Sequence, residues 1–224
     1  MKLLAILFAT SLISLNALAA KDATVDFKPV GGGEESIEGL PSPAAADVKI
    51  DGRDALKYAF YGAGVRTKFI FDVYVAQFFV ADGAVEQFKA ASDKIAAVND
   101  VGAVALKLHF KRDLSAPEVS DSLKKALRDN KVDDNDPAIQ DLMNVLSSAG
   151  DFKGEQDVVI VAEKQAGSSQ NLYVVLPNGA AKLIQGGADF ASKIMQIWLG
   201  KKPADGDLKD SILAQCKKRD CQNN

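Results

Sequence analysis

Two side chains in residues 62–79, GAGVRTKFIFDVYVAQFF, stand out chemically: Arg66 and Tyr74, set in an otherwise largely apolar β-type run. A guanidinium keeps its charge and a phenol keeps its hydroxyl, so either is costly to bury without a partner. A ligand carboxylate is one such partner. Solvent, or nearby carbonyls at strand ends, is the other reading. The two residues share parity, and on one unbroken strand they would stand about 27 Å apart. Acting on one headgroup therefore requires the chain to fold back within residues 67–73, a stretch without Gly, Pro or Asn to mark a turn. Given that fold-back, a bidentate guanidinium bond and the phenol would fix a carboxylate. Phe69, Phe71, Phe78 and Phe79 would then either line an apolar cleft beside it or form ordinary core.

Other residues of chemical interest read more plainly. His109 is the single histidine and falls on the lysine face of an alternating run, which predicts an exposed strand residue; no Ser or Cys nucleophile signature accompanies it. Cys216 and Cys221 enclose Lys-Lys-Arg-Asp near the C-terminus, and their expected state is a local disulfide, whose small loop would stabilise little of the domain. With His109 far from both cysteines, no metal site is expected. The acidic run Asp133-Asp134-Asn135-Asp136 lacks the glycine and closing glutamate of a calcium loop and reads as a helix cap. Gly62-x-Gly64 is followed by Thr67 and a strand rather than a helix, so it is no dinucleotide fingerprint, and no cofactor is expected.

Residues 1–19 have the three parts of a cleavable secretory signal: Met1-Lys2, an apolar run over residues 3–15, and an A-x-A site at Ala17-Leu18-Ala19. The run is too short to span a bilayer, and no integral membrane segment is expected after cleavage. The expected location is the periplasm or the exterior. Removing Lys2 takes the formal charge from −3 to about −4, with Lys and Asp interspersed, which argues against a nucleic-acid partner. The basic cluster Lys217-Lys218-Arg219 reads as a solvated tail.

The elements that must position Arg66 and Tyr74 follow from periodicity. Residues 20–46, with Gly31-Gly32-Gly33 and Pro41-Ser42-Pro43, read as a flexible tether in which a short strand near residues 24–27 could join a sheet edge. A folded domain is expected over residues 47–215, and a tail over 216–224. Val104, Leu106, Leu108 and Phe110 alternate with polar or small residues, the pattern of a strand. Ser115-Ala116-Pro117-Glu118 is a capping box and opens a helix striped by Val119, Leu123 and Leu127. Asp136-Pro137 caps a second helix, ended by Gly150. Strands return over residues 157–163, 172–176 and 180–184, the last two joined by a hairpin at Pro177-Asn178-Gly179. A helix over residues 188–199 stops at Gly200 in a left-handed turn, and another follows Lys201-Lys202-Pro203-Ala204-Asp205. The expected class is α+β, with helices layered over a curved antiparallel sheet.

Residues 62–79, with LHFKRDLSAPEVSDSLKKAL and IMQIWLGKKPADGDLKDSIL in that order, resemble the chalcone isomerase-like proteins, in particular their exported bacterial branch. The resemblance spans roughly residues 48–213. It implies an open-faced β-sandwich, a large antiparallel sheet covered by helices with a cleft between the layers. The family divides into isomerases that close a chalcone into a flavanone and fatty-acid-binding relatives without that activity. Arg66 matches the arginine that both branches set against the ligand, and Tyr74 the tyrosine with which the binding branch helps hold a carboxylate. The isomerases' further tyrosine and asparagine fall near Glu118 and Lys125, which could not play those parts. The resemblance thus implies a non-catalytic protein whose partner is a small amphipathic carboxylate such as a fatty acid. An isomerase of chalcone-like substrates, and an interaction protein with a filled core, are the alternatives.

Overall fold

Alternating apolar residues build a curled antiparallel sheet, shown by a computed structural model that describes residues 19–32, 35–167 and 169–220, with 215–220 described by backbone alone. The strands are β1 (Lys21–Ala23), β2 (Val25–Val30), the small hairpin β3 (Ser36–Ile37) and β4 (Leu40–Pro41), β5 (Ala45–Ile50), β6 (Leu56–Lys68), β7 (Phe71–Ala81), β8 (Ala103–Phe110), β9 (Asp157–Lys164), β10 (Gln170–Val175) and β11 (Ala181–Gly186). The helices are α1 (Val85–Ala90), α2 (Lys94–Asp100), α3 (Ala116–Asp129), α4 (Pro137–Ser148), α5 (Phe190–Leu199) and α6 (Gly206–Asp220). Nine strands form the main sheet in the order β1-β11-β10-β9-β8-β7-β6-β5-β2.

The two edge strands of that sheet are consecutive in the chain. β1 pairs with β11 and β2 with β5, yet only Thr24 separates them, so the sheet must curl until its edges nearly meet. Thr24 donates its N–H to Asp51 Oδ1 at 2.8 Å and accepts the Asp51 N–H at 2.8 Å, which pins the junction. The segment expected as a flexible tether therefore supplies both edges and the β3–β4 hairpin. The expected short strand lies within it, and the composition argument failed because unpaired ladder groups on β5 and β11 reward ordering even a polar segment.

Curling gives the sheet two unlike faces. The outer face carries Tyr74, Ala76, Phe78, Leu106, Leu108, Val158 and Ile160 and packs under the helices in one large core. The inner face carries Tyr58, Phe60, Phe79, Ala105, Val159, Val161 and Tyr173 in a second core, closed by Phe27 and Ile37 from the amino-terminal strands. The helices begin as the sequence dictates. Ser115 and Glu118 form a reciprocal capping box on α3, and Asp136 accepts the Ala138 N–H at the start of α4. Gly150, just past α4, has φ +77°, and the β10–β11 turn has Gly179 at φ +82°.

Three expectations change. α1 and α2 are additional helices, too short to show periodicity in the sequence. Gly200 is not left-handed: its φ is −67°, and glycine is needed because a Cβ would stand 2.5 Å from Asn130 Oδ1 and Gln196 O. The backbone of α6 runs through residue 220, past the expected start of the tail. The signal segment other than Ala19, the Cys216 side chain and Cys221 lie outside the described residues, and so does their pairing.

Candidate functional site

The fold-back that the site requires occurs at a two-residue turn. Lys68 pairs with Phe71 across the β6–β7 hairpin, leaving Phe69 and Ile70 as its tip, with Phe69 at φ +60° in place of a glycine. Regular pairing from that turn would set Arg66 opposite Val73 and place Tyr74 on the other face of the sheet. A β-bulge intervenes: Thr67 pairs with Asp72, but Arg66 pairs with Tyr74, so Val73 is the extra residue. The bulge brings guanidinium and phenol to one face, with the Arg66 Cζ 5.5 Å from the Tyr74 ring centroid.

The glycines preceding Arg66 have a packing role. A Cβ on Gly62 would lie 2.0 Å from Ile212 O, and one on Gly64 would lie 2.9 Å from Leu208 O. β6 thus lets α6 lie directly on its backbone. Asp205, just ahead of α6, accepts the N–H groups of Leu208 and Thr67, tying that helix to the residue after Arg66.

Arg66 and Tyr74 stand in a cavity of about 280 Å³ between sheet and helices. Its sheet wall is made by Val73, Leu108, Phe110, Val158 and Ile160, and its helical wall by Val119, Ser122 and Leu123 of α3 with Leu146 of α4. Leu114 and Phe152, joined by backbone bonds, close one side. Phe110 packs against both Tyr74 and Phe152, at centroid distances of 5.9 and 5.2 Å. Such a size sits near the lower end of ligand pockets, about 300–1,000 Å³, and suits one slender chain better than a multi-ring compound.

The polar end sets an arginine beside a buried phenol. Arg66 Nη2 donates to Ser122 Oγ at 2.8 Å, and among the described residues no carboxylate pairs with Arg66. Trp198 Nε1–H donates to Tyr74 Oη at 2.9 Å. That bond occupies an acceptor position on the phenol and leaves its hydrogen to donate. Burial pushes the Tyr74 phenol above its ordinary pKa, a shift that Arg66 and the bond from Trp198 oppose. The group therefore stays protonated at neutral pH, as a donor must. Glu118, also on the cavity wall, is held by the Ser115 N–H and hydroxyl, which lower its pKa and keep it committed to the helix cap.

The sequence-predicted residues separate into two groups. Arg66, Tyr74, Phe69 and Phe71 all border the cavity. Phe78 and Phe79 do not: Phe78 packs with Phe88 and Tyr61 in the outer core, and Phe79 packs with Phe27 and Phe60 in the inner one. Neighbours on a strand point to opposite faces, so the two could never have shared one wall. His109 is not exposed; it is 8% accessible, with Nδ1 2.8 Å from Asp157 Oδ1. The lysine face of β8 is the inner face, where Lys107 pairs with Asp157 at 3.0 Å. Lys125, near the position of the isomerases' asparagine, lies on the exposed side of α3 and pairs with Asp129. Sequence reasoning missed Ser122 and Trp198. Ser122 was available as the polar neighbour of the Val119–Leu123 stripe, whereas nothing local marks Trp198 as a partner of Tyr74.

The model of a family described as chalcone isomerase-like matches residues 36–214. No curated protein matches the chain. Among solved structures, the chain is similar to a fatty-acid binding protein of Arabidopsis thaliana at 12% identity and a TM-score of 0.56, over 71% of this chain and 88% of that one. At that identity the likeness is one of fold: a large antiparallel sheet with helices against it. Among the described residues no helix is long and apolar enough to cross a membrane.

Proposed function

Because the chain belongs to the chalcone isomerase-like family, we propose that it is an exported, non-catalytic member that binds a fatty acid or similar amphipathic carboxylate between sheet and helices. One observation carries the reading: an arginine without a carboxylate partner among the described residues faces a buried phenol at the polar end of a largely apolar cavity. A headgroup there receives charge-assisted bonds from Arg66 and a hydrogen bond from Tyr74, while the acyl chain lies along Val119, Leu123, Phe110 and Ile160. The likeness to a fatty-acid binding protein supports this choice among the family's activities. Residues 1–19 supply the export step as a cleaved signal.

The reading assigns no catalytic residue. α3 presents Glu118, Val119, Ser122 and Leu123 to the cavity, and none of these is a phenol or amide that could orient a cyclising substrate. Titration of a fluorescent acyl carboxylate tests the proposal. Arg66→Ala should weaken binding by about 1.5–3 kcal/mol and Tyr74→Phe by about 0.5–1.5 kcal/mol. Unchanged affinity in both, with the fold intact by circular dichroism, would remove this pair as the headgroup site. Turnover of a chalcone that disappears in Arg66→Ala would instead identify an isomerase.

A further inference from the structure

The tip of the β6–β7 hairpin is an apolar surface that the fold does not use. Phe69 is 90% exposed, Ile70 85% and Phe71 54%, three consecutive large side chains in water. Exposed apolar residues occur singly on most proteins, but a contiguous group at a protruding tip marks a contact with something outside the chain. The backbone sharpens the point. Phe69 holds φ +60°, a conformation unfavourable for a bulky side chain and natural to Gly or Asn, so the turn gains nothing from the phenylalanine it carries.

Charge defines the occupant. Lys68 and Arg112 flank the tip, Arg112 lying 5.0 Å over the Phe71 ring; both act on the Glu118 carboxylate from a distance, and among the described residues neither forms an ion pair within 4.0 Å. The acids nearby keep their charge but are held by protein donors: Asp72 accepts the Thr67 hydroxyl, Asp205 the Thr67 N–H, and Glu118 the Ser115 groups. Aromatic and aliphatic side chains flanked by two cations without a close ion pair match an anionic bilayer interface, where rings sit at headgroup depth and cations meet phosphate. The tip is also the cavity mouth, since Lys68, Phe69, Phe71 and Arg112 all line it.

We propose that the Phe69-Ile70-Phe71 tip docks the protein onto an anionic lipid surface and that the acyl ligand passes between bilayer and cavity beside it. The transfer step rests on the ligand reading above; the docking step rests on the tip alone. Ile70 separates them, because it is exposed and does not line the cavity.

Flotation with vesicles of phosphatidylcholine, with and without phosphatidylglycerol, measures docking, and a soluble fluorescent acyl carboxylate measures the cavity. The unsubstituted chain should float with the phosphatidylglycerol vesicles, and Ile70→Ser should weaken that partition about tenfold while leaving acyl affinity in solution unchanged. The tryptophan of Ile70→Trp should be quenched by brominated lipid, whereas Trp198, 1% exposed, should not respond. Equal flotation of Ile70→Ser and the unsubstituted chain overturns the proposal. Concentration-dependent dimers that Ile70→Ser abolishes, with no vesicle binding, also overturn it and give the tip to self-association. Docking without any acyl binding in solution would leave the membrane contact standing and remove the ligand reading.

Discussion

At the scale of single residues, the site depends on what each polar group has left to give. Arg66 has a serine hydroxyl for company rather than a carboxylate, and Tyr74 has its oxygen held by Trp198, so a charge and a phenol hydrogen are both left to give. The pH response follows from the signs. Burial raises the Tyr74 pKa, so the neutral phenol is favoured by folding; this contribution is full below the ordinary phenol pKa and is lost as pH rises through that value toward the folded one. The ligand must be ionised, which fails as pH falls through the carboxylic range. Acyl affinity should therefore be flat between about pH 6 and 9 and decline on the acid side, and a titration of Kd against pH checks it. Arg66→Ala should lose most of the acid-side dependence, since ionising the ligand then gains little. Arg66 and Tyr74 were legible because a charge and a phenol are conspicuous in an apolar run. Trp198 was not, because its bond to Tyr74 spans 124 residues and no local pattern encodes a contact of that reach.

Elements position these groups through two irregularities, the turn and the bulge of the β6–β7 hairpin. Strand character was readable from alternation, but a turn built from Phe69 and Ile70 carries none of the residues that announce one. The bulge at Val73 was equally silent, although without it Tyr74 would face the inner core. The positive φ of Phe69 is unfavourable for its side chain, so relieving it should stabilise the hairpin: Phe69→Asn should raise stability by about 0.5–1 kcal/mol, seen as a higher urea midpoint at unchanged slope. A loss would mean that the exposed ring contributes more packing than its 90% exposure allows. The glycines act in the opposite sense. Gly62→Ala would press a methyl to 2.0 Å from the Ile212 carbonyl, so α6 must shift, at a cost of about 1–3 kcal/mol or more. Because Asp205 links α6 to Thr67, acyl affinity should fall together with the midpoint.

Across the whole molecule, the decisive feature is that one sheet serves two cores that share its strands but not its faces. The sheet-and-helix class was legible from the order of periodic segments. Closure was not, since β1 and β2 find their partners at opposite edges and their composition resembles a linker. Alternation along β7 separates Phe78, which shares parity with Tyr74, from Phe79, but it does not tell that α1 covers Phe78 away from the cavity. Division into two cores makes stability and binding separable. Phe79, fully buried in the inner core, should cost about 3–5 kcal/mol when replaced by Ala. Leu123→Ala, on the cavity wall, should cost about 2–5 kcal/mol and would enlarge the cavity. The two variants are thus comparable in their urea midpoints. Only Leu123→Ala should change acyl affinity or shift the preferred chain length, because its methyl groups are the ones the ligand would touch. Measuring both quantities for both variants distinguishes a cavity walled from the inner core by the sheet from one that merely reports overall softness, in which case Phe79→Ala would move the Kd as far.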